Sequence, residues 1–218
     1  MSSAADKAGG RAARGLALFL VVAACFVSGC RQTPPVVKIG LVAPFEGRYR
    51  AVGYDAIYAA RLGIREVNAG GGIGAYRVAL VALDDSGEPD LAQQAAASLV
   101  VDSAVVAVIG HWRAETTEAA LPLYRQANLP LVATGQAPFV AVAPATLPDA
   151  FRDAYAEVTP FDEKAGAYAG ATYDALYLVL NALEVAEMEG EVSRRGVEAA
   201  LDGLQYEGMT GRVFWRQQ

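Results

Sequence analysis

Blocks of apolar residues alternate with amphipathic segments along residues 36–133. Four short apolar runs predict strands at residues 36–43, 76–83, 105–109 and 129–133. The three segments between them predict helices at residues 54–67, from Pro89 onward, and at residues 114–127, because their apolar side chains recur at helical spacing. An uninterrupted apolar run is typical of a strand buried on both faces of a parallel sheet. The pattern therefore predicts an α/β fold with a doubly wound, mostly parallel sheet in three αβα layers.

The pattern changes beyond Gly135. Residues 136–148 hold three prolines among small apolar residues, which predicts an extended connection rather than a helix. Helical spacing returns afterwards and predicts helices at residues 149–158, 163–188 and 192–204. A last apolar run, residues 210–215, predicts a short strand.

The first 30 residues have the composition of an export signal. Lys7, Arg11 and Arg14 form a basic region, and residues 15–27 form an apolar region that is short for a membrane span. Small residues then precede Cys30, an ending that resembles the bacterial lipobox. This predicts a signal peptide at residues 1–29, lipidation of Cys30, and a tether at residues 30–35 that holds the chain at a membrane. The alternative is an ordinary secretory signal in which Cys30 is incidental.

Charge and cysteine content exclude several functions. The first 29 residues contain three basic residues and one acidic one, so the remaining chain has 15 basic and 23 acidic residues. An acidic chain without basic clusters argues against nucleic-acid binding. Processing at Cys30 removes Cys25, the other cysteine, and leaves no thiol for a disulfide or a cysteine-based metal site.

The polar turn GHWRAETT after the third predicted strand is the first candidate site, because open α/β sheets bind ligands beyond the carboxyl ends of their strands. His111 is the single histidine and has no ligand cluster beside it, which favours a loop-positioning role over metal binding. Trp112 either stacks on a ligand or covers the sheet edge. Arg113 is a candidate for binding a carboxylate, and Glu115 for stabilising the helix N-terminus.

Other polar residues also have two interpretations. Asp84 and Asp85 are candidates for acid–base chemistry, but a turn that caps the next helix is favoured, because no nucleophile accompanies them. Tyr49, in the loop after the first strand, either lines a cleft or packs into the core. One histidine and few serines do not make a Ser-His-Asp arrangement, so we do not expect an enzyme.

Several stretches of the chain resemble the leucine/isoleucine/valine-binding type of periplasmic binding protein, the substrate-capturing component of branched-chain amino acid ABC importers. The stretches are VKIGLVAPFEGRYRAVG, ARLGIREVNAGGGIGAYRVALVALDDSGEPDLA, VVAVIGHWRAETTEAALPLYRQANLPLVA, YAGATYDALYLVLNALEVA and LDGLQYEGMTGRVFW. The resemblance implies a type I fold of two α/β lobes with the ligand in the cleft between them. It also implies an ABC transporter permease as partner and no cofactor.

The chain departs from this plan where the second lobe is expected. Only the proline-rich connection, residues 136–150, stands between residues 36–135, the first part of the N-terminal lobe, and residues 151–218, the returning helices and last strand. This predicts one nearly complete lobe without most of the second. The deletion also predicts exposed cleft surface that favours self-association.

The resemblance implies that Ser and Thr groups at two places of the first lobe hold the amino-acid head group. The matching positions fall on Ala114 and Ala137, with Thr116, Thr117 and Thr134 as substitutes. The candidate ligand-binding residues are therefore His111, Trp112, Arg113, Ala114, Glu115, Thr116, Thr134, Gly135, Gln136 and Tyr49. No metal ligand is expected.

Two functions are weighed. The first is a lipid-anchored extracytoplasmic solute-binding protein for amino acids of the branched-chain type or a similar small solute. The alternative is a truncated lobe that acts as a protein-interaction module, or a fragment without ligand binding. A third class, hydrolases, lacks a catalytic constellation in this sequence.

Overall fold

Four parallel strands form the central sheet in a computed structural model that describes residues 33–217. They are β1 (Val36–Ala43), β2 (Arg77–Asp84), β3 (Val105–Gly110) and β4 (Leu131–Ala133), in the order β2-β1-β3-β4. These are the four apolar runs of the sequence, with ends shifted by at most two residues. The predicted signal peptide (1–29) and lipidation site (Cys30) lie outside the described residues.

Helices follow each strand and then continue without strands between them. They are α1 (Arg50–Ala69), α2 (Pro89–Val100), α3 (Ala114–Gln126), α4 (Asp149–Val158), α5 (Ala169–Met188) and α6 (Arg194–Leu201). Short 3-10 turns lie at Gly47–Tyr49 and Pro144–Thr146, and an antiparallel hairpin, β5 (Gln205–Gly208) and β6 (Gly211–Phe214), follows α6. None of the helices in this described part is long and apolar enough to cross a membrane.

The sheet has a separate hydrophobic core on each face. On one face, Ile39 and Leu41 of β1 pack with α1 and α5. On the other face, Val42 and Val108 pack with Leu99 of α2 and with α3. Side chains of a strand alternate between faces, so an all-apolar strand such as β3 supplies both cores. The predicted three-layer, doubly wound α/β fold is confirmed.

Some predicted boundaries are wrong. The helix predicted from residue 54 begins at Arg50, directly after a 3-10 turn. The helix predicted from residue 163 begins at Ala169, because the preceding backbone is held by other partners: Glu163 N donates to Thr159 Oγ1, and Tyr168 N donates to Asp55 Oδ2. The hairpin partner β5 was not predicted at all.

Smaller corrections concern the helix ends and faces. The helix predicted at residues 192–204 is the shorter α6, because Ser193 Oγ accepts from Gly196 N and caps it. On α2, Leu91 is 37% exposed, and the buried side is formed by residues that include Ala92 and Ala96.

The described residues from 35 onward form one compact unit, so the connection at residues 136–150 does not separate two bodies. Within that connection, residues 137–138 form a turn, a 3-10 turn follows at Pro144–Thr146, and residues 149–150 already belong to α4. Val142 N donates to Ala167 O, which holds the connection against the start of α5.

Candidate functional site

The carboxyl ends of β3 and β4 lie side by side, and the candidate site occupies the space beyond them. A three-residue turn, residues 111–113, joins β3 to α3, and Arg113 is the N-cap residue of α3 without a capping side-chain hydrogen bond. The free N–H groups of a helix's first turn carry partial positive charge. We name this connection the 111–113 turn, and we name residues 134–136, which follow β4, the 134–136 loop.

A pocket of about 200 Å³ lies between the start of α3 and the 134–136 loop. Its lining residues are Trp112, Arg113, Ala114, Thr117, Glu118, Leu121, Thr134, Gly135 and Gln136. Six of the ten residues named from the sequence thus line one pocket. The other four, His111, Glu115, Thr116 and Tyr49, are not among its lining residues.

The two walls of the pocket touch at Gly135. This residue has φ +76°, a conformation that favours glycine, and a Cβ added there would lie 2.4 Å from the carbonyl oxygen of Trp112. Only glycine therefore permits the 134–136 loop to approach the 111–113 turn this closely. The sequence singled out both loops, but only the structure shows their contact.

Three buried polar atoms on these walls have no hydrogen-bond partner within the described residues: Trp112 Nε1, Arg113 Nε and Thr134 Oγ1. Trp112 is 8% exposed and Thr134 is 3% exposed. A buried polar atom without a partner costs about 1–3 kcal/mol, and native proteins keep few of them. All three belong to residues that line the pocket.

Arg113 has its other groups engaged beside the pocket. Its guanidinium lies 4.6 Å from the centre of the Tyr49 ring and donates a hydrogen bond from Nη1 to the Tyr49 hydroxyl. Its Nη2 lies 3.3 Å from Glu115 Oε2 in an ion pair. Tyr49 and Glu115 therefore orient Arg113, and Glu115 also lies in the first turn of α3, where a negative charge is favourable.

Two of the three threonines named as substitutes bond to the 111–113 turn. Thr116 Oγ1 donates to Arg113 O at 3.0 Å, and it is fully buried outside the pocket lining. Thr117 Oγ1 donates to Arg113 O at 2.9 Å and lies 3.3 Å from His111 O. Ala137 lines a neighbouring pocket of about 50 Å³ rather than this one. Of the hydroxyl groups named from the sequence, that of Thr134 is unpartnered.

His111, which precedes the pocket-lining Trp112 in the chain, is fully buried. Its Nδ1 lies 2.8 Å from Asp85 Oδ2, and its Nε2 lies 3.2 Å from the Tyr124 hydroxyl. Sequence reasoning named His111 and Asp85 separately without pairing them, and it did not name Tyr124. Asp85 followed a strand end, as His111 does, and this shared position was the available signal.

The interpretation of Asp84 and Asp85 as helix caps is wrong. The N-cap residue of α2 is Glu88, and no side chain caps it. Asp84 Oδ1 instead accepts from Phe45 N at 2.7 Å, and Asp84 Oδ2 accepts from Ser86 Oγ. Asp85 Oδ1 accepts from Gly87 N at 2.9 Å. Asp84 thus fixes both the turn after β2 and the loop after β1, because it accepts donors from each, and Asp85 accepts one further donor within the turn.

The site is a small pocket between two loops at the carboxyl edge of an open parallel sheet, which is where open α/β sheets bind ligands. Within residues 33–217, no group of three metal-ligating side chains comes together. Residues 36–146 match the family described as "Periplasmic binding protein". The chain belongs to the periplasmic binding protein family.

Sequence comparison finds a relative that this chain matches over part of its length. An "Amino acid binding protein" of Pseudomonas aeruginosa is 31% identical over 99 residues, which are 45% of this chain and 26% of that relative. The chain thus matches about a quarter of the relative's length.

Among solved structures, one that is similar is the branched-chain amino acid transporter substrate binding protein LivJ of Streptococcus pneumoniae, in complex with isoleucine. The TM-score is 0.68 and the sequence identity is 17%, and the match covers 83% of this chain and 92% of that chain. A substrate-binding protein of an ABC transporter from Desulfitobacterium hafniense, in complex with Leu, is also similar, with a TM-score of 0.64 and 14% identity. That match covers 83% of this chain and 93% of the other chain.

Proposed function

We propose that this chain is an extracytoplasmic solute-binding protein that binds amino acids of the branched-chain type, or a similar small carboxylic acid, for an ABC importer. The observation that carries the proposal is the pocket between the 111–113 turn and the 134–136 loop, with unpartnered buried polar atoms on both walls. Family membership supports a role in solute binding without chemistry of its own. The ligands named for the similar structures, isoleucine and Leu, are carboxylic acids.

The chemistry of the walls suits the head group of an amino acid. Trp112 Nε1 and Arg113 Nε are donors without a partner, and they lie near the N-terminus of α3. Donors and a helix N-terminus together favour a carboxylate. Glu118 provides a carboxylate on the same pocket for an ammonium group, and Leu121 provides apolar surface. Because the unpartnered atoms are buried, ligand contact requires the two loops to separate slightly.

The size of the pocket limits the ligand and its affinity. Pockets for drug-sized ligands measure about 300–1,000 Å³, so about 200 Å³ suits a smaller solute. Only one lobe encloses the ligand within residues 33–217, and water retains access to its other side. We therefore expect weaker binding than in a closed two-lobe protein, where both lobes contribute contacts.

The test is a thermal melt of the full chain with leucine, isoleucine or valine at millimolar concentration. A ligand at about one hundred times its dissociation constant adds about 2.7 kcal/mol to the free energy of unfolding, a clear shift in melting temperature. A cooperative melt that no amino acid shifts would contradict the proposal and favour the protein-interaction module. A chain without a cooperative melt would be a fragment that does not fold alone.

A matched pair of variants locates the binding site. Thr134→Val removes a hydroxyl that has no partner, so the unliganded melting temperature should stay the same or rise, while the ligand-induced shift should fall. Thr146→Val removes an exposed hydroxyl in the connection and should leave the ligand-induced shift unchanged. Equal shifts in the two variants would place the ligand elsewhere.

We further propose that the chain is exported and anchored through lipid on Cys30. The support is the basic and apolar composition of residues 1–29 and the small residues before Cys30. Expression of wild type and Cys30→Ser in a bacterium, followed by membrane fractionation, tests it. We expect the wild type in the membrane fraction and the variant outside it; equal distribution would contradict anchoring at Cys30.

A further inference from the structure

Three fully buried side chains form a hydrogen-bonded chain through His111, the residue before the pocket-lining Trp112. Asp85 Oδ2 lies 2.8 Å from His111 Nδ1, and His111 Nε2 lies 3.2 Å from the Tyr124 hydroxyl. Asp85 and His111 are completely shielded from solvent, as is Tyr124. The three come from different parts of the fold: the turn after β2, the 111–113 turn, and α3. We name them the Asp85–His111–Tyr124 chain.

The partners determine where the protons lie. Asp85 Oδ1 already accepts from Gly87 N, and its Oδ2 faces His111 Nδ1, so the carboxylate needs a donor there. An imidazole with its proton on Nδ1 supplies this donor and leaves Nε2 to accept a hydrogen bond from the Tyr124 hydroxyl. Burial, together with the negative charge of Asp85, raises the pKa of Tyr124, so the hydroxyl keeps the proton that it donates. Within residues 33–217, Nε2 is the hydrogen-bond partner of that hydroxyl.

The His111 ring held in this way belongs to the residue that directly precedes the pocket lining in the chain. His111 is followed by Trp112, whose side chain lines the pocket and whose carbonyl oxygen meets the backbone of Gly135. The His111 carbonyl oxygen also lies 3.3 Å from Thr117 Oγ1 of α3. With both ring nitrogens bonded, the imidazole cannot rotate without breaking a buried hydrogen bond. The position of the 111–113 turn thus depends on Asp85 and Tyr124, neither of which lies in the pocket wall made by Trp112 and Gly135.

We propose that Asp85 and Tyr124 are positioning residues for ligand binding, which hold His111 as the Nδ1–H tautomer and so fix the 111–113 turn as one wall of the pocket. This assignment rests on the proposed function. It adds to that function two residues that contribute through His111 rather than through contact with the ligand.

A single histidine makes the tautomer directly measurable. Nitrogen-15 NMR of the full chain labelled at histidine should show a protonated Nδ1 and an unprotonated Nε2. In Asp85→Asn, the side-chain oxygen keeps the Gly87 N–H, and the amide presents its NH₂ group to the imidazole. His111 must then accept at Nδ1 and carry its proton on Nε2, where it donates to the Tyr124 oxygen. A wild type already protonated at Nε2, or no change of tautomer in the variant, would overturn the assignment.

A second reading of the same samples reports on the 111–113 turn without any ligand. The chain has two tryptophans, so the indole N–H signal of Trp112 is assigned by its loss in Trp112→Phe. We expect this signal to shift in Asp85→Asn and in Tyr124→Phe. Asp84→Asn is the matched control, because Asp84 lies next in the chain but bonds to Phe45 and Ser86 instead of His111. An unmoved Trp112 signal in the two test variants would refute the positioning role.

Binding completes the test, with leucine as the probe in isothermal titration. We expect Asp85→Asn and Tyr124→Phe each to weaken leucine binding about tenfold, and the double variant to weaken it by less than the product of the two. If the double variant weakens leucine binding by the full product of the two single effects, the two residues act independently. That result would overturn a shared role through the Asp85–His111–Tyr124 chain. If wild type binds no leucine, the proposed function fails for this ligand, while the two NMR measurements still decide the assignment of His111 and of the turn.

Discussion

Gly135 is the residue at which the two walls of the pocket meet, and it makes the most direct test of their contact. An alanine there would take a left-handed conformation and also place its Cβ 2.4 Å from the Trp112 carbonyl oxygen. We expect Gly135→Ala to lower the free energy of unfolding by about 1–2 kcal/mol for the conformation and by a further ~1–3 kcal/mol for the displaced backbone. Leucine binding should fall with it.

Gly203 offers the matched control for this prediction. Its φ is +74°, nearly that of Gly135, but a Cβ added there meets nothing within 4 Å. Urea unfolding of Gly203→Ala should therefore show the conformational cost alone, about 1–2 kcal/mol, with leucine binding unchanged. If the free energy of unfolding falls equally in the two variants, the close approach of Gly135 to Trp112 does not affect stability.

At the residue scale, the sequence named the loops of the candidate site better than the contacts within them. Trp112, Thr134 and Gly135 follow strand ends, and parallel strands bring their carboxyl ends to one edge, so the sequence alone placed these residues together. The pairing of His111 with Asp85 joins residues 26 positions apart. Such a pairing depends on strand order and rotamers, which local spacing does not contain.

At the element scale, the side chain of Arg194, the first residue of α6, binds the carboxyl ends of two helices and the start of a strand. The Arg194 guanidinium donates to Val105 O at 2.9 Å, to Val100 O at 3.0 Å and to Asp102 O at 2.8 Å, with a longer bond to Ala127 O at 3.3 Å. Val100 ends α2, Val105 begins β3, Asp102 lies in the turn between them, and Ala127 is the C-cap residue of α3. One guanidinium therefore joins the end of α2, the turn after it, the start of β3 and the C-cap of α3.

Removal of this side chain should cost much of the stability of the sheet. Hydrogen bonds that involve a charged group contribute about 1.5–3 kcal/mol, so we expect Arg194→Ala to lower the free energy of unfolding by about 2–4 kcal/mol. Arg195→Ala, the next residue and an exposed one, should change it by less than about 0.5 kcal/mol. Urea unfolding followed by circular dichroism measures both. Similar losses would show that the four bonds contribute little.

The elements that the sequence predicted well are those whose pattern reports burial. β1 and β3 are uninterrupted apolar runs, and both lie inside a two-sided core. β5 has the sequence QYEG, with alternate residues exposed, in an isolated two-stranded ribbon. Its pattern is short and mostly polar, so it does not differ from that of a turn. The start of α5 was misplaced for another reason, since Asp55 and Thr159 bind the backbone of residues that have helical composition.

At the scale of the whole molecule, stability should vary with pH through two carboxyl groups whose pKa values are shifted in opposite directions by folding. Burial acts to raise the pKa of Asp84, but hydrogen bonds from Ser86, Phe45 and Glu46 outweigh it, so this pKa lies below its ordinary value. Burial raises the pKa of Asp174 above its ordinary value despite hydrogen bonds from Thr210 and Met209. Ionised Asp84 therefore stabilises the fold, whereas ionisation of Asp174 opposes it.

Whether each carboxyl group stabilises the fold more or less as pH rises can be measured by comparing the unfolding free energy of wild type with that of two variants from about pH 3 to 7. Asp84 contributes stability above its unfolded pKa of about 3.9, and this contribution is lost as pH falls through its lower folded pKa. The difference in unfolding free energy between wild type and Asp84→Asn should thus grow with pH. The corresponding difference for Asp174→Asn should shrink as pH rises from about 3.9 through the raised folded pKa. Parallel slopes would contradict the two assignments.

The free edge of β4 has a consequence for the order in which the protein is made. β4 pairs with β3 on one side only, and on its other side Trp215 Nε1 donates to Leu131 O at 2.9 Å. The two residues are 84 positions apart. The ribosome therefore releases β4 well before Trp215, whose side chain covers the edge of that strand. At about 5–20 residues per second, the edge of β4 in the growing chain stays unpaired for several seconds. During that interval, the three-residue length of β4 is its own protection, because so short an edge gives another nascent chain little to pair with.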